Sequence, residues 1–205
     1  MSEGEFDTPY RDYDVLEKWD SPSWNAQTRE VVRRRLEEVP ERNFLTEDEW
    51  SLLEAVVARL MPQPDRAAPV PITPWIDEML AENRGPGYRY ADMPPLRDAW
   101  RQGLAAIAAE ARDRHGVAFA QLTSAQQDGL LADIQHDRTD GRWWGELPAG
   151  GFFSHLLLKE VVSIYYAHPA AWSEIGFGGP ASPRGYVRLG FDERDPWEAA
   201  EQGDG

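Results

Sequence analysis

Apolar residues recur every three or four positions along most of the chain, which is the spacing of one buried face of an α-helix. The sharpest case begins at Thr46, whose hydroxyl can accept the backbone N–H of Glu49 while the Glu49 carboxylate accepts the N–H of Thr46. Leu45 and Trp50 stand where a hydrophobic staple is expected. A helix is therefore predicted from this capping box to the residues just before Pro62.

Five other segments combine the same spacing with residues that start or stop helices. They are residues 23–38, a short helix with Thr73 as its cap and Pro74 at its first position, residues 92–116 ending at Gly116, a helix capped by Thr123, and residues 151–167. Period-two alternation is almost absent, so the predicted class is all-α, an irregular bundle of about six helices. The last segment is apolar almost all round, which indicates a place at the centre of the fold or under a partner.

The two ends of the chain differ in composition from the middle. Residues 1–22 are acidic and carry isolated apolar residues, so they are predicted to form an extended arm. Residues 23–191 form the predicted helical domain, and residues 192–205 an acidic tail. Within the domain, residues 170–191 are rich in Gly, Pro and aromatic residues and show no clear period, so we interpret them as ordered loop. His168 precedes this loop and is expected to cap the preceding helix as a cation.

The charge balance narrows the range of partners. The chain has 205 residues, with 21 basic and 36 acidic side chains and a formal net charge of −15. Such a field repels phosphate backbones and anionic membrane surfaces, so neither is an expected partner. The sequence contains no run of about 18 apolar residues, and no membrane span is predicted. The first residues lack a basic and an apolar region of the secretory type, which favours a cytoplasmic location.

No residue pattern points to catalysis, a cofactor or a metal in this chain. Cysteine is absent, nucleotide-binding glycine motifs are absent, and the four histidines are not spaced as metal ligands. His155 is interpreted as a hydrogen-bonded core or interface residue. The Glu47 and Glu49 pair is explained by the capping box, and Asp77 with Glu78 is expected to face water on a short helix. Catalytic, cofactor and metal residues are therefore all predicted to be none.

Aromatic and basic residues suggest a contact surface instead. Nine Trp, seven Tyr and seven Phe exceed what a small core needs, and Trp and Tyr are enriched at interfaces. The run Arg33, Arg34 and Arg35 favours a solvated helix face. The alternative is a basic patch that meets an acidic partner surface.

Four segments of the chain carry a resemblance to a known family. They are FLTEDEWSLLEAVVARLMPQP, PITPWIDEML, GYRYADMPPLRDAWRQGL and, most specifically, residues 152–189 with HLLLKEVVSIYYAHPAAWSEIGFGGPASPRGYVRL. Together they make residues 44–189 resemble the gluconate 2-dehydrogenase subunit 3 family. None of them is a catalytic motif, so the resemblance lies in overall sequence texture.

This resemblance implies a small accessory subunit without a cofactor of its own. Its partner is implied to be an FAD-containing dehydrogenase of the glucose–methanol–choline type that oxidises sugars, sugar acids or glycosides, often with a cytochrome c as electron acceptor. The small subunit is implied to help this flavoprotein fold, to stabilise it and in many cases to export it on a twin-arginine signal. Here Arg33-Arg34 lies inside a predicted helix, so the complex is expected in the cytoplasm, or in the periplasm if another subunit carries the signal.

The predicted contact with the catalytic subunit consists of aromatic residues near the C-terminal end, together with the acidic arm. These residues are Phe153, Tyr165, Tyr166, Trp172, Phe177 and Tyr186. For the first three, simple core packing is an equal alternative. One small subunit per flavoprotein is the expected stoichiometry. Two other functions stay open: a free-standing helical adaptor, and a lone hydrolase using His155 with Glu160, which lacks a nucleophile.

Overall fold

A computed structural model describes residues 8–63, 66–85, 87, 92–180 and 199–201 of the chain. Every regular element within these residues is helical, which confirms the all-α class. Two short 3-10 helices cover Val15–Lys18 and Phe119–Gln121, and a π-helical turn covers Phe153–Leu157. The α-helices are α1 (Ala26–Glu37), α2 (Glu47–Leu60), α3 (Ile72–Ala81), α4 (Leu96–His115), α5 (Ser124–Gln135), α6 (Gly141–Trp144), α7 (Ala149–Phe152), α8 (Leu158–Ala167) and α9 (Pro169–Glu174).

The chain divides into two compact units. The first combines residues within Met1–Val39, Pro64–Val70 and Ile164–Gly205, and the second combines Pro40–Gln63 with Pro71–Ser163. The first unit therefore contains α1 and α9, whereas the second contains α2 to α7.

Helix α2 begins as the sequence predicts. The backbone N–H of Thr46 donates to Oε2 of Glu49 over 2.8 Å, and the N–H of Glu49 donates to Oγ1 of Thr46 over 3.3 Å. The same reciprocal arrangement joins Thr123 and Gln126 at the start of α5. These boxes satisfy N–H groups that a helix leaves unpaired at its first turn, so both helices have fixed starting points.

Helix α3 corrects two predictions. It begins at Ile72, and Thr73 is buried inside it instead of capping it. Asp77 does not face water: it is fully buried, and its carboxylate accepts the backbone N–H groups of Asn43, Phe44 and Leu45. A buried carboxylate is stable only with such donors, so Asp77 holds the loop before α2 against α3.

Ring packing fills the core of the second unit. Phe152 meets Trp100 of α4 edge-on at 5.7 Å and lies 6.0 Å from the ring of Trp144. Glu110 of α4 is also fully buried; its Oε1 accepts the N–H of Asp140 over 2.6 Å and the indole N–H of Trp144 over 3.3 Å. The carboxylate therefore fixes the short helix α6 against the middle of α4.

A π-helical turn lies within the predicted last helix. The N–H of Leu158 donates to the carbonyl of Phe153, five residues earlier, so that α7, the π turn and α8 follow one another without a break. Ser154 and His155 are exposed on this turn, whereas Phe153 and Leu157 are buried. This helix therefore has exposed residues, although its almost entirely apolar sequence predicts that it is buried at the centre of the fold or under a partner.

The core of the first unit is built from the arm, α1 and α9. Val15, Trp24, Val32 and Trp172 form one buried cluster. The described part of the arm, from residue 8, is therefore packed on its own chain and includes a 3-10 helix, so it is not simply extended. The predicted boundary between residues 191 and 192 lies outside the described residues.

Candidate partner-binding surface

Trp172 makes several of the contacts that shape the first unit. This residue lies on α9, so the predicted loop at residues 170–174 is wrong. The indole is only 3 % exposed, and its N–H donates to the carbonyl of Tyr166 over 2.6 Å. Helix formation here follows from Pro169 at the first helical position and a cap immediately before it.

That cap is His168, in a role opposite to the predicted one. Its Nδ1 accepts the backbone N–H of Ala170 over 3.2 Å, so it caps the start of α9 instead of the end of α8. Burial, with the positive charges of Arg66 and Arg35, lowers the pKa of His168 below its ordinary value. A neutral ring is required, because only an unprotonated Nδ1 can accept.

Two aromatic side chains near Trp172 remain exposed. Tyr166 is 44 % exposed and Phe177 is 37 % exposed. The ring of Phe177 meets that of Trp172 edge-on at 5.8 Å, and the ring of Tyr166 meets that of Tyr165 edge-on at 5.1 Å. The two exposed rings therefore lie on a rigid base, which is how interface aromatics are usually presented.

Helix α1 brings a guanidinium to the same place. Arg35 donates from Nη1 to the carbonyl of Ala167 over 2.8 Å, and its Cζ lies 5.8 Å from the centre of the Trp172 ring. It is half-buried, and burial lowers its pKa. Within the arginine run, Arg33 and Arg34 are exposed and pair with Glu30 and Glu38. The predicted solvated face thus holds for two members of the run and is wrong for Arg35.

The sequence contains a signal for this difference. Thr28 and Val32 are the buried residues of α1, and Arg35 follows them at helical spacing, whereas its two basic neighbours do not. Val31 and Leu36 of the same helix are exposed although they are apolar. The buried face of α1 thus passes through the last arginine.

A second polar group fixes the end of α8 in the first unit. The hydroxyl of Tyr165 donates to Oε2 of Glu174 over 2.7 Å and accepts from Arg66 over 3.0 Å, and Arg66 pairs with Glu174. Burial and the bond to Glu174 raise the pKa of Tyr165 to about 12. Tyr165 is 7 % exposed, so its side chain is occupied by this network.

Phe153, Tyr165 and Trp172 are buried by this chain itself. Core packing therefore accounts for them, and the prediction of a partner contact is carried forward for Tyr166 and Phe177. Tyr186 lies outside the described residues. We define the aromatic–arginine surface as half-buried Arg35 together with the exposed residues Leu36, Val39, Tyr166 and Phe177.

Among its described residues, the second unit contains an open cleft of about 260 Å³, lined by residues such as Leu52, Leu104 and Arg112. His155 is exposed, so its interpretation as a core residue is wrong. Burial raises the pKa of Glu160, with Lys159 acting in the opposite direction. Among the described residues, no group of His, Asp and Glu side chains is arranged to hold a metal ion.

None of the described helices combines the length and apolar character needed to cross a bilayer. The described residues define an all-helical protein whose first unit carries exposed aromatic rings and a half-buried guanidinium.

A family model described as gluconate 2-dehydrogenase subunit 3 matches residues 47–179, well over half of the chain. The chain belongs to this family of dehydrogenase-complex subunits. No curated protein and no solved structure matches it significantly.

Proposed function

We propose that this chain is the non-catalytic small subunit of an FAD-dependent dehydrogenase of the glucose–methanol–choline type, which oxidises sugars, sugar acids or glycosides. The observation that carries the proposal is the family match over residues 47–179, because that family is one of dehydrogenase subunits. FAD belongs to the catalytic partner in this proposal, and this chain contributes no cofactor.

The aromatic–arginine surface supports a binding role. Tyr166 and Phe177 are large rings held exposed on a packed base, and Trp, Tyr and Arg are the residues that most often carry interface energy. Neither ring forms part of the described cores. Contact with a second protein would remove this apolar area from water.

Stabilisation of the flavoprotein follows from mass action. A subunit that binds only the folded partner raises the partner's stability by RT ln(1 + [L]/Kd), about 2.7 kcal/mol at a hundredfold excess over Kd. The small subunit then acts as a folding and stability factor without any chemistry of its own.

The test is an affinity purification of the tagged full-length chain from its native cells, followed by an absorption spectrum of the eluate. We expect flavin bands and a co-purifying polypeptide of flavoprotein size, with bleaching of the flavin when the correct sugar or sugar acid is added. An unrelated tagged protein from the same cells serves as the control. A haem spectrum in the eluate identifies a cytochrome c as a third component.

A colourless chain recovered alone, or with a partner that holds no flavin, overturns the proposal. That outcome favours a helical adaptor for another protein.

A further inference from the structure

Arg35 is half-buried, and desolvation accounts for its lowered pKa. Among the described residues no carboxylate lies within ion-pair distance of its guanidinium, which contacts the carbonyl of Ala167 and the face of Trp172. A half-buried cation without a counter-charge is costly, so the site favours an incoming anion.

Three other arginines of the first unit already have acidic partners. Arg33 pairs with Glu30, Arg34 pairs with Glu38, and Arg66 pairs with Glu174. Of these four arginines, Arg35 is the one whose guanidinium has no carboxylate beside it among the described residues. Planar guanidinium groups bind carboxylates through two parallel hydrogen bonds, which makes the contact directional as well as attractive.

Exposed apolar side chains accompany this cation in the first unit. Leu36 on α1 and Val39, two residues after its end, are 40 % and 61 % exposed, and Tyr166 and Phe177 are exposed as well. Contacts connect Arg35 with Trp172 and its neighbours: Arg35 donates to the carbonyl of Ala167 and lies over the Trp172 ring, the Trp172 indole N–H donates to the carbonyl of Tyr166, and Phe177 packs on that indole. A charge enclosed by apolar groups is shielded from water on binding, which strengthens its interaction.

We infer that the aromatic–arginine surface binds a segment of the catalytic flavoprotein in which one carboxylate side chain, flanked by apolar residues, pairs with Arg35. This inference rests on the proposed function and specifies the chemistry of the contact. The chain carries a net charge of −15, so an acidic partner segment is repelled elsewhere on average. The local positive charge therefore selects both the docking position and its orientation.

The test measures the affinity of full-length variants for the flavoprotein subunit separated from the purified complex. We expect Arg35→Gln to weaken binding about thirtyfold or more, because it leaves the partner's carboxylate buried and unpaired. Tyr166→Ser and Phe177→Ser should each weaken binding about tenfold, as interface aromatics do. Arg33→Gln, which removes an exposed charge from the same helix, is the matched control and should change affinity less than about twofold.

Folding is controlled separately, because Arg35 also holds Ala167. Each variant is compared with the wild type by circular dichroism and thermal unfolding. The variants Tyr166→Ser and Phe177→Ser lose no hydrogen bond of the side chain. They therefore still test whether this surface contacts the flavoprotein if Arg35→Gln is unstable. Arg35→Lys keeps the charge and loses the paired geometry, and its affinity should lie between those of the wild type and Arg35→Gln.

The outcomes separate the two proposals. If the wild-type chain binds no flavoprotein, the proposed function fails. If it binds and folded variants at Arg35, Tyr166 and Phe177 bind equally well, the flavoprotein contacts another surface and this inference is overturned. Weakening by the two aromatic variants without an effect of Arg35→Gln overturns the carboxylate contact.

Discussion

Gly103 lies directly beneath the ring of Phe152. A Cβ placed on residue 103 would fall 2.4 Å from Cζ of that ring, far inside van der Waals contact. The ring has no room to move, because it is fully buried between Trp100 and Trp144. The absence of a side chain at position 103 is therefore what lets α4 approach α7 so closely.

Gly103→Ala should consequently destabilise the protein. Alanine improves helix propensity by about 1 kcal/mol, but overpacking a rigid core costs about 1–3 kcal/mol. Because three ring atoms lie within 2.6 Å of the added carbon, we expect the upper end of this cost, and so a net loss of up to about 2 kcal/mol in chemical denaturation. Gly129→Ala on α5 meets no neighbouring atom within 4 Å and should leave stability equal or higher. Equal effects of the two substitutions would contradict the packing argument.

His168 should make the stability depend on pH. Its pKa is lowered in the folded protein, so folding favours the neutral ring. The stabilising contribution is complete above the ordinary value of about 6.5 and is lost as the pH falls below it toward the lower folded value. Denaturation curves between about pH 7 and pH 5 should show this loss. His168→Asn keeps a capping acceptor but cannot be protonated, and its curve should be flatter there. If the wild type and His168→Asn lose stability equally over this pH range, protonation of the His168 ring is not coupled to folding.

Asp77→Asn should show how much the loop before α2 depends on a charge. The amide offers one oxygen in place of two and turns an N–H₂ group toward backbone donors. We expect the free energy of unfolding to fall by about 2–3 kcal/mol, because hydrogen bonds to a charged group are lost. Glu54→Gln is the control, since Glu54 is exposed on α2 and the change should stay within about 0.5 kcal/mol. A similar stability of both variants would mean that the three N–H groups find other acceptors.

Tyr165→Phe should weaken the end of α8. The substitution removes the bonds to Glu174 and Arg66 while keeping the ring, so we expect a loss of about 1–2 kcal/mol at neutral pH. Folding favours the neutral phenol, whose pKa is raised to about 12, so the wild type should lose this advantage as the pH rises from about 10 toward 12. The difference between the two proteins should shrink over that range. A constant difference would rule out the coupling of this phenol to folding.

Local sequence signals predicted where several helices begin or end. The boxes at Thr46 and Thr123 join residues three apart, and Gly116 ends α4 with the positive φ of 75° that the sequence suggests. Such contacts depend on neighbours in the chain, so a single sequence contains all the atoms that decide them. The all-α class follows for the same reason, since helical periodicity is itself a local pattern.

The roles of charged side chains could not be predicted in this way. Asp77 meets donors more than 30 residues away, and Arg35 reaches a carbonyl 132 residues further along the chain. His168 was assigned to the wrong helix end, because α9 follows it and the loop expected there does not form. For the proposed binding surface, the sequence identified Tyr166 and Phe177 as aromatic candidates but could not separate them from the buried Trp172.

The sequence by itself thus determined the all-α class, the longer helices with the starts of α2 and α5 and the end of α4, and the family resemblance, but not α6 or α9. The tertiary structure decided which polar groups are buried, which rings stay exposed and where, among the described residues, a guanidinium has no carboxylate beside it. The physical reason is that burial and the pairing of charges depend on atoms that only folding brings together, whereas capping and helical periodicity depend on residues within one turn.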